Sequence, residues 1–218
     1  VWFYRELDVP GKALFEKRIQ LFLMMKKIQG IGTEVDDPVR LLVAASAIIP
    51  TFAFPAFDYP ELSEVLIYPK SFSKNFEVDG ANREHQNIEG MVGNRFMNHS
   101  LLLSKPALLA GFSGEKGDEN VGIHEFVHLL DREDGEIDGI PERLAASSYT
   151  LPWLHLIKSE MRKIQIGSSD INPYALTNNA EFLAVVSEYF FNNPEEFCEK
   201  HPELYESLSI FYNKISIK

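Results

Sequence analysis

His124-Glu125-Phe126-Val127-His128 places two imidazoles and a carboxylate within five residues, in the order H-E-x-x-H. On an α-helix, residues four apart differ by about 40° of rotation and roughly 6 Å of rise, so both rings leave one face and can grip a single ion. Zinc takes imidazole nitrogens at about 2.0–2.1 Å, which this spacing allows. Glu125 stands about 100° around the helix from His124. From there it reaches a water on the ion rather than the ion itself, which is the position of a general base. The chemistry such a group performs is hydrolysis by metal-activated water.

A catalytic zinc needs a third protein ligand and one open position. No third histidine follows at short spacing, so the H-x-x-G-x-x-H extension of the metzincins is absent. Downstream, Asn178 to Phe191 has helical spacing and opens on Thr177 or Asn178 as cap. Glu181 and Glu188 share one face of that helix, bordered by Phe182, Leu183, Val185 and Val186. A carboxylate buried there is costly unless paired or metal-bound, so each is a candidate ligand. Seven residues rise by about 10.5 Å, more than one coordination sphere spans, so only one of the two can ligate.

The elements around these residues follow from periodicity. Residues 11–29 have helical spacing through Leu14, Phe15, Ile19, Phe22, Leu23 and Ile28. Asp36-Asp37-Pro38 starts a second helix, which Leu41 to Ile49 continues and Pro50 ends. Glu64 to Tyr68 reads as a strand stopped by Pro69, and 91–112 as strand-like. Pro106 in that stretch suggests an edge strand or bulge, and Ser100 to Gly111 could pair with an extended peptide. Gly114 to Asn120 is a polar loop, Val121 to Leu130 the metal-binding helix, and Asp131 to Pro141 a solvated acidic loop. Trp153 to Ile164 and Glu195 to Phe211 supply further helices. The expected class is α+β: one domain over 1–218, mostly helical. It comprises a helical part at about 11–57, a small mixed sheet at about 60–112, and metal-binding helices at about 121–131 and 178–191.

Composition narrows the functions. Against 21 basic residues stand 32 acidic ones, a net charge of −11, so phosphate-backbone binding is disfavoured and no nucleic-acid partner is expected. The single cysteine, Cys198, excludes an internal disulfide or a Cys-rich metal cluster and is expected in the core of a terminal helix. His85, His99, His155 and His201 lack partners at ligand spacing and read as structural or exposed. The apolar run Leu41 to Phe57 holds Pro50 and Pro55 and is shorter than the ~20 residues of a spanning helix, so no membrane partner is indicated. The chain starts at Val1, which suggests a lost upstream segment; the expected location is cytoplasmic.

Gly122 to Asp131, with Pro173-Tyr-Ala-Leu-Thr-Asn-Asn-Ala-Glu-Phe-Leu-Ala184 and Ser187 to Phe191, resembles the Mlc titration factor A family of zinc-dependent peptidases. That family is itself distantly similar to the catalytic domain of anthrax lethal factor. Glu64 to Pro69 and Pro194 to Phe197 echo it more weakly, so the likeness runs from about residue 12 to 213. The stretch from Arg132 to Asn172 matches poorly. The resemblance implies a zincin-like fold of the gluzincin type with one Zn2+ per chain. By motif, His124 and His128 correspond to zinc ligands, Glu125 to the catalytic glutamate, Glu181 to the third ligand and Tyr174 to a tyrosine near the reacting carbonyl. Asp131 also matches, in an orienting or helix-ending place. Glu188 then supports the site by hydrogen bonding. The implied activity is a zinc metallopeptidase acting on a peptide or protein substrate. The alternative is a zinc-containing interaction protein that sequesters a regulatory partner such as a transcription repressor.

Overall fold

The computed structural model describes residues 1–69, 96–97, 99–113, 119–141 and 150–212. His85, the first part of the 91–112 stretch and residues 114–118 of the polar loop lie outside these. The chain forms two compact units, Val1–Ile48 with Ala56–Gly122, and Ile49–Pro55 with Ile123–Lys218.

The first unit is built on a four-stranded sheet in the order β1-β2-β4-β3. β1 (Lys27–Gly30), β2 (Glu64–Tyr68) and β4 (Ser100–Ser104) run parallel, and β3 (Phe96–Met97) pairs antiparallel to β4. The class is thus α+β with a small mixed sheet. Alternate residues Val65, Ile67, Leu101 and Leu103 are fully buried, as the two-residue period of a strand requires. Glu64 ties three strands together: its carboxylate accepts from Gln29 Nε2 (2.9 Å) and Ser100 Oγ (2.8 Å). Two short and two longer helices belong here: α1 (Trp2–Glu6), α2 (Val9–Met25), α3 (Asp37–Thr51) and α4 (Lys105–Ala110). α2 buries Phe15, Ile19 and Phe22, and Asp36 caps α3 by accepting from Val39 N at 3.0 Å.

Three expectations need correction here. The helical period through Ile28 is broken: α2 ends at Met25 and Lys27–Gly30 is a strand. Ile28 keeps its burial but obtains it through parallel pairing with Val65. Pro50 does not end α3, which continues to Thr51 with the proline in its last turn. Ser100 to Gly111 is not an edge strand: Ser100–Ser104 lies between β2 and β3, and Lys105–Ala110 is helical. Ser104 caps that helix by accepting from Ala107 N (3.3 Å), and Pro106 sits in its first turn, where a missing N–H costs nothing.

The second unit is helical: α5 (Val121–Asp131), α6 (Thr150–Gln165), α7 (Asn179–Asn192), α8 (Pro194–Lys200) and α9 (Pro202–Phe211), with 3-10 turns at Arg132–Asp134 and Pro173–Leu176. The unit boundary falls inside α3 and after the first two residues of α5. α7 is buried from Ala180 through Phe191 and forms the spine of this core. Phe190 and Phe191 pack against Tyr212, with ring centroids 5.6 and 4.7 Å away. Cys198 is exposed rather than in the core, because the short α8 buries only Phe197. Among the described residues no helix is long and apolar enough to cross a membrane.

Candidate metal centre

α5 carries the H-E-x-x-H residues in a setting that leaves the helix little freedom. Ile123, Phe126, Val127 and Leu130 are each no more than 1% exposed. At its start, Gly122 lies so close to Ser46 that a Cβ would collide with the serine side chain. α7 is capped by Asn178, whose side-chain oxygen accepts from Glu181 N at 2.9 Å. That cap fixes the first turn, which carries Glu181.

The two helices bring His124, His128 and Glu181 together, all buried, with one ligand atom from each within 4.8 Å of the others. Glu181 Oε2 stands 2.9 Å from His124 Nε2 and 3.3 Å from His128 Nε2, and the two Nε2 atoms are 3.1 Å apart. Tetrahedral zinc with bonds of ~2.0–2.1 Å keeps its ligands about 3.3 Å apart, so two nitrogens and one oxygen at these separations fit a cation among them. His124 Nδ1 donates to Glu188 Oε1 at 2.6 Å, which turns Nε2 toward the cluster. Glu181 and Glu188 thus meet opposite edges of one ring.

Charge follows from this packing. Burial opposes protonation of His124, but Glu188, Glu181 and Glu125 outweigh it and raise its pKa to about 10 in the chain by itself. Burial would lift the Glu181 carboxyl; the hydrogen bonds with His124 and His128 prevail and hold it well below the usual range. A cation bound at the cluster would compete with protonation of these rings.

The structure places Glu125 on the same helix, buried, and Tyr174 in the 3-10 turn before α7, its ring centroid 6.1 Å from that of His124. Asn172 Oδ1 accepts from Tyr174 N at 2.9 Å and fixes the start of that turn. Of the other histidines, His155 is exposed, and His99 Nδ1 is 2.7 Å from Glu61 O. His201 is buried, with Nε2 2.7 Å from Asp170 Oδ1.

The acidic loop differs from its expectation at one end. Asp134 and Asp138 are exposed and accept from Glu136 N (3.1 Å) and Ile140 N (2.9 Å), as turn residues do. Asp131 is not part of a solvated loop: it is the last residue of α5 and 1% exposed. Burial first, opposed by the Gly139 amide and joined by Asp138 and Asp134, pushes its carboxyl up to about 7. Its Oδ2 accepts from Gly139 N at 2.8 Å, and Gly139 O accepts from Trp153 Nε1 at 2.9 Å. Gly139, at φ +79°, presses on Asn179 so closely that a Cβ would strike the Asn179 carbonyl oxygen. The Asp138-Gly139 dipeptide signals the turn in the sequence; its place against α7 has no local signal.

A model of the family described as glucose-regulated metallo-peptidase M90 matches residues 1–213. The chain is 30% identical over 218 residues to the protein slr2042 of Synechocystis sp., covering 96% of this chain and 79% of that one. It is 30% identical over 203 residues to Mlc titration factor A of Cronobacter sakazakii and over 206 residues to that of Salmonella agona, covering 88% of this chain and 75% of each relative. A mostly helical, zincin-like fold with a small mixed sheet accords with that match. A metallopeptidase family and a buried His-His-Glu cluster therefore meet on the same residues, and the chain belongs to the glucose-regulated metallo-peptidase M90 family.

Proposed function

We propose that residues 1–218 form one zinc metallopeptidase domain that hydrolyses peptide bonds. The observation that carries the reading is the convergence of His124, His128 and Glu181 beside a buried glutamate of the same helix, Glu125. His124, His128 and Glu181 would hold the ion, which when bound supplies a Lewis acid and an acidified water. The carboxylate of Glu125 takes a proton from the attacking water and returns it to the leaving nitrogen. The hydroxyl of Tyr174 donates to the oxyanion that develops on the scissile carbonyl. Glu188 keeps His124 in the tautomer and plane that present Nε2. The test is cleavage of a peptide library by the wild type, with and without chelator, beside Glu125→Gln. The expected result is chelator-sensitive cleavage by the wild type, and a variant that keeps metal and fold but loses roughly two to four orders of magnitude in turnover. Turnover near the wild-type level in that variant removes Glu125 from the role.

The names of the relatives favour a second reading, in which the chain binds the regulator Mlc or a counterpart and titrates it. The same variant separates the two. If titration is the function, Glu125→Gln binds the regulator as wild type does, and no peptide in the library is cleaved by either protein.

A further inference from the structure

Two buried polar atoms on α5 have no hydrogen-bond partner among the described residues: His128 Nδ1 and Asp131 Oδ1. The two residues are three apart, the spacing at which side chains on a helix are neighbours. They are also complementary. His128 turns its Nε2 toward His124 and Glu181, and a ring whose Nε2 lone pair is given to a cation held there carries its proton on Nδ1. Asp131 Oδ1 is an acceptor, and the other oxygen of that carboxylate already serves Gly139 N. A buried donor and a buried acceptor left unmet one turn apart would each cost stability.

We infer that Asp131 is the positioning residue of His128: its Oδ1 accepts the hydrogen bond of Nδ1–H through one buried water, and so sets the tautomer and plane of that ring. The inference rests on the metallopeptidase reading above. It gives each histidine of the cluster its own carboxylate, Glu188 from α7 for His124 and Asp131 from α5 for His128. Asp131 is itself held in place. Gly139 binds it, Trp153 binds Gly139, and Gly139 abuts Asn179, two residues before Glu181. The turn at Gly139 therefore fixes the anchor of one ligand and the helix start that presents another. A plain helix-ending role for Asp131 would account for Gly139 but leave both orphan atoms unmet.

The test uses the full chain. Long-range 1H–15N spectra of the histidine rings, recorded on metal-free and zinc-loaded wild type, identify the protonated nitrogen of His128. The expected result is a strongly deshielded, slowly exchanging proton on Nδ1. Asp131→Asn keeps an oxygen for Gly139 N but exchanges the carboxylate for an amide. It should shift that proton upfield and weaken zinc binding in chelator competition by about 10- to 100-fold. Trp153→Phe loosens Gly139, which holds the other oxygen of Asp131, and should move the His128 proton less than Asp131→Asn does. A His128 Nδ1 proton that is not deshielded in the zinc-loaded protein, or an Asp131→Asn affinity within about twofold of wild type, overturns the inference. Should Asp131→Asn fail to fold, the wild-type spectrum decides alone. A wild type that takes up no metal sinks the metallopeptidase reading instead, and the metal-free spectrum still reports on Asp131.

Discussion

In the metal-centre cluster His124 stands between Glu181 and Glu188; in a second cluster of the same unit His201 stands between Asp170 and Glu160. The parallel extends further. A tyrosine ring lies 6.1 Å from His124 (Tyr174) and 6.0 Å from His201 (Tyr189). The difference is in who meets the carboxylates. Asp170 accepts from Lys200 Nζ (2.6 Å), His201 Nε2 (2.7 Å) and Tyr189 OH (2.9 Å), and Glu160 accepts from Lys163 Nζ (2.5 Å). Ammonium groups neutralise these carboxylates. Glu181 instead shares one oxygen between two histidines. The set His124, His128, Glu125, Glu181 and Glu188 is three acids and two imidazoles, all buried. A histidine between two acids is therefore not sufficient for a metal centre. Donor atoms must also converge on one point, as they do at His124, His128 and Glu181.

Matched substitutions in the two clusters test that contrast, beginning with the largest effect. Glu181→Gln removes one of three ligand atoms and should weaken zinc binding well beyond the roughly 10- to 100-fold typical of an orienting residue. Glu188→Gln should stay within that range. Chelator competition measures both, and the reverse ranking would move the ligand two turns along α7. Tyr174→Phe should lower kcat more than it raises KM, by roughly 10²–10³ if the hydroxyl meets the oxyanion. Tyr189→Phe, beside the other histidine, should leave kcat unchanged. An unchanged kcat in Tyr174→Phe reduces that residue to packing.

The pH dependence of metal-free stability should differ in sign between the clusters. His124 has a folded pKa raised from 6.5 to about 10, so its contribution is complete below 6.5 and is lost as pH rises through 10. Asp170 has a folded pKa lowered from 3.8 to about 2: burial opposes this, and Lys200, His201 and Tyr189 outweigh it. Its contribution is present above 3.8 and is lost as pH falls through 2. Denaturant midpoints of chelator-treated protein across pH should show the alkaline limb move down in Glu188→Gln and the acid limb move in Asp170→Asn. A limb that does not respond to its own variant breaks the assignment. The smallest effect is that of Asp170→Asn near neutral pH, about 1 kcal/mol or less of stability because the carboxylate is exposed and screened, with zinc affinity unchanged.

Much of the centre is legible along the chain because it is local. Four residues bring two side chains to one face of any helix, so His124, His128 and the neighbouring Glu125 form a group before tertiary structure enters. The capping signals at Asp36 and Asn178 and the apolar run of α7 act over a few residues in the same way. A choice between residues equivalent under that geometry is not local. Glu181 and Glu188 share a face, and only the packing of α7 against α5 sends one to Nε2 and the other to Nδ1 of His124. β1 is four residues long and carries one buried apolar residue, Ile28, that also fits the helical period before it; pairing with β2, 37 residues away in register, makes it a strand. His201 and Asp170 are 31 residues apart, and Gly139 meets an oxygen of Asp131 and the start of α7 at once. The sequence by itself determined that His124 and His128 share one helix face next to Glu125, because helical spacing is a property of the backbone. Tertiary structure alone decided which acid faces the cluster, which acids are neutralised by lysines, and which loop holds the two helices, because those contacts depend on how distant segments pack.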